Sequence, residues 1–439
     1  MSKSKDRINI MWFRRDLRLE DNTALNHALQ SNLPILCIFI FDTNILNRLP
    51  SKTDRRIQFI HYHIQLIHEK LLQHNSGLKV LFGNPIDELK LILSEFQVEN
   101  IYCNHDYEPY ATLRDQNIRE LCNQYSCVFH SFKDQVVFER TEICKSDGTP
   151  YHVFTPFKNK WISTYEQQIE GENTSIIPLN NFYKIPQSQI LRLTDLGFNP
   201  ISFEMNIPEL NLTSLKKYNQ LRNLPSEDAG SKLSIHLRFG TISIRKIVQQ
   251  AKQINQQWLF EFIWREFFMM LLWNYPTLID EPKNKKFENI NWINDEKQFE
   301  LWCEGNTGYP IVDAGMRELN KTGYMHNRVR MIGASFLCKH LLIDWKWGEA
   351  YFANHLNDFE LSSNNGNWQW VVGCGFDAAP YFRIFNPISQ AKKFDPQQLY
   401  ICKWIEDFNT DKYPYPIVDH ALARKRCLEV YAKALKSVN

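Results

Sequence analysis

The sequence predicts an N-terminal α/β domain built on a parallel, Rossmann-like sheet, followed by an all-α domain. Three observations carry this. Roughly the first 130 residues alternate short apolar runs with amphipathic stretches; after about residue 200 the strand pattern disappears; and aromatic residues, 13% of the chain, gather in the second half. Of twelve tryptophans only Trp12 and Trp161 precede Trp258, which suggests that the second half holds something with a large aromatic surface.

The apolar runs Ile8–Phe13, Pro34–Phe41, Leu78–Phe82, Asn100–Asn104 and Cys127–Phe132 read as strands buried on both faces. Between them, Asp54–Gln73 repeats Ile57, Ile60, Ile64, Ile67 and Leu71 at helical spacing. The pattern is βαβα, hence a parallel sheet covered by helices over residues 1–132. Neither GxGxxG nor GxxxxGK[ST] occurs, so the sheet alone names no ligand. From 133 to 200, Pro150, Pro156, Pro178, Pro186 and Pro200 punctuate a polar stretch that reads as a connector draped over the surface. Residues 201–439 form the second domain, with helices expected at 241–256, 258–274, 311–321, 325–343, 347–357 and 419–435.

Composition narrows the function classes. Net charge is only +2, so nucleic-acid binding would need a local patch rather than a pervasive basic field. No run approaches the roughly 20 apolar residues of a membrane span, and Met1–Arg7 lacks the apolar region of a signal peptide. A soluble, cytoplasmic monomer is expected. The ten cysteines make no CxxC pair and read as reduced and mostly buried, with no metal site.

Four segments could carry chemistry. On one predicted helix Glu261, Trp264, Arg265 and Phe268 fall at i, i+3, i+4 and i+7, which offers an acid, a flat aromatic and a guanidinium on one face. The segment continues apolar almost all round to Trp273, so its charged residues need partners. On a second helix Asn327, Arg330, Met331 and Ala334 share a face, where an amide and a guanidinium could hold phosphates or a flat heterocycle and a thioether adapts to either. The Asx-rich stretch Asn357–Trp370 reads as a turn or loop folded against something buried. Gly230–Ser234 could line an anion such as a pyrophosphate.

Taken in order, Trp12–Asn22, Thr307–Ala314, Gly323–Arg328, Asn367–Trp370 and Asp377–Pro387 resemble the signatures of the photolyase/cryptochrome family, over nearly the whole chain. Members most like it are the class I enzymes that split cyclobutane pyrimidine dimers; signalling cryptochromes are the alternative. The resemblance implies FAD in the helical domain, active as the reduced anion. It would touch Tyr218, Gly230, Ser231, Lys232, Leu233 and Ser234 at its phosphates and Asn327, Arg330, Asp358, Glu360 and Asn364 around its ring system, with Arg265 and Phe359 as further contacts. Asn364 would face the ring nitrogen whose protonation governs the redox chemistry. Glu360 departs from the family, which usually has Asp there.

The resemblance also places Glu261, Trp264, Asn327, Met331 and Trp370 against the damaged bases. Arg222, Glu261, Trp264, Arg265, Phe268, Asn327, Arg328 and Gln390 would contact UV-damaged DNA, and Trp368, Trp345 and Trp292 match an electron chain listed from flavin to surface. In Tyr107–Ala111 the chain lacks the Asn-Glu pair of folate-binding relatives, so a second, antenna chromophore is expected to be a deazaflavin, a second flavin or absent, with folate not favoured.

Overall fold

A computed structural model describes residues 5–168, 179–185, 189–227 and 229–436. Pro178, Pro186, the first residues of the N-terminal tail and the last three of the chain lie outside them.

The strands fall where the apolar runs placed them: β1 (Arg7–Phe13), β2 (Ile35–Asp42), β3 (Leu78–Gly83), β4 (Gln97–Asn104) and β5 (Val128–Phe132). All neighbours pair in parallel, in the order β3-β2-β1-β4-β5. β1 and β2 are buried nearly end to end because helices cover both faces, which is why their sequences run apolar instead of alternating. Ile8, Ile10, Trp12, Leu36, Ile38 and Ile40 form one side of this core with Leu89, Ile92 and Ile101. The Arg55–Leu72 helix starts where Asp54 accepts the Arg56 amide at 2.8 Å.

The polypeptide divides into two compact units, and the division interleaves along the chain. One holds 1–139, 162–208 and 233–250; the other holds 140–161, 209–232 and 251–439. The expected surface connector at 133–200 is therefore wrong in its middle. Phe154–Gln168 is a helix that buries Phe154, Phe157 and Trp161 at i, i+3 and i+7. Pro156 does not oppose it, because a proline in the first helical turn forgoes an N–H that has no partner there anyway. Farther on, Gln58 donates to the Asn199 carbonyl at 2.9 Å, and His61 and His63 bond the carbonyls of Leu191 and Met205. These bonds pin 191–205 along a helix instead of leaving that stretch loose.

The second unit is all helical among its described residues. Helices Gln256–Asn274, Pro310–Thr322, Trp345–His355 and His420–Lys436 match the expected segments to within a few residues, while Asn327–Ser335 covers only the first half of its own. The segment expected as one helix over 325–343 changes pitch: Phe336–His340 is a π-helical turn, and Leu342 has a positive φ of 52°. The Asx-rich stretch read as a loop is instead the helix Leu361–Val372. Local propensity loses there because Trp368, Val371 and Val372 bury their side chains, while Asn367 turns its amide back onto the Ser363 carbonyl at 2.7 Å.

Candidate functional site

The helices Gln256–Asn274 and Leu361–Val372 lie against each other at Gly366, where a Cβ would sit 2.3 Å from the Phe268 ring. This close approach sets Trp264 and Phe268 on one element beside Trp368 and Trp370 on the other. Trp264 is half-buried, with one face covered by Phe154 in a parallel stack at 3.6 Å and 6°. Phe268 lies 5.7 Å away at 25°. Beneath them Glu266, fully buried, takes the Trp161 Nε1 hydrogen bond at 2.5 Å. Neither Phe154 nor Glu266 was identified from sequence; the helical spacing of Phe154, Phe157 and Trp161 was the available clue.

Glu261 accepts from Arg222 Nη1 at 2.5 Å and from Gln257 at 3.3 Å. Burial raises the Glu261 carboxyl above its ordinary range, and Arg222 pulls it back down. The Arg222 guanidinium also lies 5.8 Å from the Tyr218 ring centre, so two residues expected at different ends of the site meet here. On the neighbouring helix His326 accepts the Arg328 amide at 3.2 Å and so supplies the N-cap. Burial, with Arg330, Arg328 and Arg222 nearby, lowers the His326 pKa to about 4, so the imidazole is neutral. Asn327 is the first residue of this helix. Arg328 reaches Asn223 at 2.6 Å and Met331 Sδ at 3.6 Å, and stacks over Phe394 at 4.5 Å. Its pKa is lowered by burial and by Arg222 and Arg383, which marks three guanidiniums close enough to repel. Such a cluster is set for an anion.

A second polar group sits around the start of Leu361–Val372. Arg330 donates to both Asp358 oxygens, at 3.2 and 3.0 Å, and to the Met325 carbonyl at 2.8 Å. Phe359 packs against the helical core. Glu360, the departure from the family pattern, caps its own helix: its carboxylate accepts the Ser362 and Ser363 amides at 3.2 and 2.9 Å and the Ser362 hydroxyl at 2.5 Å. The carboxylate folds back onto the helix start, where the helix dipole favours negative charge. Asn364 spends its amide hydrogens on Glu349, on the backbone carbonyl at 3.1 Å and on Oε1 at 2.7 Å. Its own carbonyl oxygen then remains for an N–H donor.

Trp368 is buried against Phe352 at 5.0 Å, and Gly348 is the residue that admits it, since a Cβ there would lie 2.2 Å from the indole. Trp345 is also buried, and Trp292 is partly buried beside Tyr431 at 6.0 Å. Gly230, Ser231 and Lys232 form an irregular stretch that bends at Gly230 and ends in Lys232 at a positive φ of 52°, followed by Leu233 and the helix Ser234–Phe239. Gln390 lies on the helix Pro387–Phe394.

In the other unit the strand order reverses between β1 and β4, and the space outside the carboxyl ends of those strands is where sheets of this kind form a crevice. Arg15 pairs there with Asp106 at 3.0 Å and with Glu108 at 2.8 Å. Tyr107 donates to Glu139 at 2.6 Å and Tyr110 to Asp42 at 2.5 Å. The Trp12–Asn22 signature proves structural in its contacts: Asp16 accepts the Arg14 amide and the Asn104 amide, both at 2.6 Å, and Asn22 caps the helix Thr23–Leu29.

A parallel α/β unit joined to a helical unit that combines an aromatic wall, an arginine cluster and an amide–carboxylate cradle has the makings of a flavoprotein. Residues 258–411 match the family model described as the FAD binding domain of DNA photolyase, and residues 9–174 match that described as DNA photolyase. A deoxyribodipyrimidine photo-lyase of Vibrio cholerae is 33% identical, over 97% of this chain and 100% of its own. A class III photolyase of Agrobacterium tumefaciens superposes with a TM-score of 0.85 at 32% identity, over 99% of both chains. An archaeal photolyase of Sulfolobus tokodaii with two FAD molecules gives 0.82 at 33%, over 98% of this chain and 100% of its own. The chain belongs to the DNA photolyase family.

The residues present fit FAD. The Asn364 carbonyl oxygen is available to a ring N–H, the Arg330–Asp358 pair offers both polarities at a heterocycle edge, and the Gly230–Lys232 stretch offers backbone amides to phosphate.

Proposed function

We propose that this chain is a light-driven DNA repair enzyme that splits cyclobutane pyrimidine dimers. The observation that carries the reading is the wall made by Trp264 beside the Arg222, Arg328 and Arg383 cluster, all within the helical unit. Stacking on an aromatic face holds an extruded base, and guanidiniums hold the strand that flanks it. Reduced FAD, when bound, supplies the photoexcited electron and takes it back. Trp264 and Trp370 bracket the lesion, Asn327 and Met331 line the same pocket, and Glu261 offers a hydrogen-bonding acid. Its carboxylate, held by Arg222 and Gln257, places a hydrogen-bond acceptor beside that pocket.

Trp368, Trp345 and Trp292 carry electrons inward to reduce oxidised flavin. Arg265, Phe268 and Gln390 complete the face turned to DNA, so the positive surface is local, as a net charge of +2 requires. A second chromophore belongs in the crevice between β1 and β4, and the two FAD molecules of the Sulfolobus relative support a flavin there over a folate. No helix among the described residues is long and apolar enough to cross a membrane.

The test is to expose a dimer-containing oligonucleotide to the purified protein in light and in darkness while recording its absorption spectrum. Dimers should disappear in light only. Flavin photoreduction with an unchanged oligonucleotide would sink the repair reading and leave a light receptor.

A further inference from the structure

Lys339 is one of the least expected residues in the helical unit. It is 1% exposed, in a run whose one other polar member is His340, with Phe336–Leu337–Cys338 before it and Leu341–Leu342 two residues after it. An ammonium buried this way is costly unless it is bound. Burial lowers its pKa to about 8, and the groups around it are the thiols of Cys427, Cys338 and Cys374 and the guanidinium of Arg383. None of these is an acid that would neutralise it. Among the described residues its hydrogen-bond acceptor is a single backbone carbonyl, that of Arg383, 2.9 Å from Nζ.

The local backbone is shaped for this contact. Lys339 sits in the π-helical turn Phe336–His340, and one extra residue per turn re-aims a side chain relative to a regular α-helix. At the other end, Arg383 lies in a short irregular segment between two helices. Its amide bonds the Pro380 carbonyl at 2.9 Å, and the segment is tied to the aromatic wall where Ala379 donates to the Trp370 carbonyl at 3.1 Å. With its carbonyl drawn inward to Lys339, Arg383 turns its side chain out: the guanidinium lies 5.9 Å from the Trp370 ring centre and 5.4 Å from that of Phe385. The preceding residue, Phe382, is 61% exposed.

We infer that Lys339 is a positioning residue for DNA: by gripping the Arg383 carbonyl it holds the 381–385 segment in the shape that sets the Arg383 guanidinium over Trp370, ready for a backbone phosphate beside the lesion. The inference rests on the reading of Trp370 as part of the lesion pocket. Methionine in place of Lys339 would fill the same volume without a donor, so the segment would keep its core neighbours and lose its anchor.

The experiment measures dissociation constants for dimer-containing and undamaged duplex with the parent, K339M, R383A, the K339M/R383A double variant and W370A, each with flavin bound. K339M should weaken binding to the dimer duplex by about tenfold. The double variant should bind within about twofold of R383A, because the lysine acts through the arginine. A merely structural lysine would give losses that multiply in the double variant, and that outcome overturns the inference. K339Q keeps a donor without the charge and serves if K339M does not fold; it should lose less affinity than R383A. Amide hydrogen exchange at Arg383 and Ile384 should quicken in either variant, and unchanged exchange with unchanged affinity also overturns the inference. Failure of the lesion-pocket reading is separable: W370A and R383A would then bind the dimer duplex as the parent does.

Discussion

Buried charge is treated differently in the two units. In the α/β unit it closes on itself: Asp134 receives Arg18 Nη2 at both oxygens, 2.8 Å each, and Arg245 at 2.9 Å, while Asp106 and Glu108 share Arg15. In the helical unit cations stand near cations, since Arg222 and Arg383 weaken the hold of Arg328 on its proton, and Lys339 meets a carbonyl without an acid. A closed network rigidifies a fold, whereas an excess of one sign waits for a ligand of the other. The difference teaches which buried polar residues to treat as structure and which as function.

Four experiments would break or sharpen this contrast. The largest effect should come from Asp134→Ala, which strands Arg18 in the interior and should cost about 3–5 kcal/mol of stability, read by denaturant unfolding. An unchanged midpoint would mean that the network is ornamental. Next, Trp264→Ala should weaken binding to dimer-containing DNA by about 1–3 kcal/mol while FAD stays bound. Equal affinity for damaged DNA would remove Trp264 from the site.

Acid should then test the buried imidazoles. His63 and His236, in the α/β unit, are lowered to about 4 and His340 to about 3, chiefly by burial. Between their ordinary value of 6.5 and the folded values, the unfolded chain binds protons that the folded chain does not. Stability must therefore fall as pH drops through that window, by on the order of 2 kcal/mol for each histidine. Thermal unfolding from pH 7 to 4 reads this out, and a flat profile would contradict it. The smallest structural effect should be that of Trp292→Phe, a partly buried site: photoreduction slows, repair by pre-reduced protein is spared, and loss of both together would break the electron chain.

The strands were legible because residues buried on both faces must be apolar, and five such runs are hard to mistake. The long helices were legible for the same kind of reason. The helix Leu361–Val372 was not, because Asn364, Asn365 and Asn367 favour turns and only tertiary burial of Trp368 overrides them. The helix Phe154–Gln168 was masked by Pro156, although Phe154, Phe157 and Trp161 kept helical spacing. Within the site, residue types and spacing could nominate Trp264 and Arg330. They could not reveal that Glu360 would fold back to cap its helix, that Phe154 would cover one face of Trp264, or that Arg222 would reach Glu261. Such pairings depend on segments brought together by the fold, and a single sequence records no distances. Lys339 did carry a sequence mark: a lone charge inside Phe336–Ile343 asks what it binds.

The stack of Phe154 on Trp264 has a consequence for how the molecule comes to exist. Its two rings are separated by 110 positions in the chain (264 − 154), and the Trp161–Glu266 bond just below spans 105. Closing loops of that length is slow, and each must form before its contacts repay the lost entropy. During synthesis the β1–β5 sheet can complete itself from residues 7–132, long before Trp264 leaves the ribosome. The Phe154–Gln168 segment must wait with its aromatic face unfilled until the later helix arrives. The stacked wall thus cannot form until more than half of the chain has been made, and a nascent chain cut short before Trp264 would hold a finished sheet and an exposed, adhesive stripe of Phe154, Phe157 and Trp161.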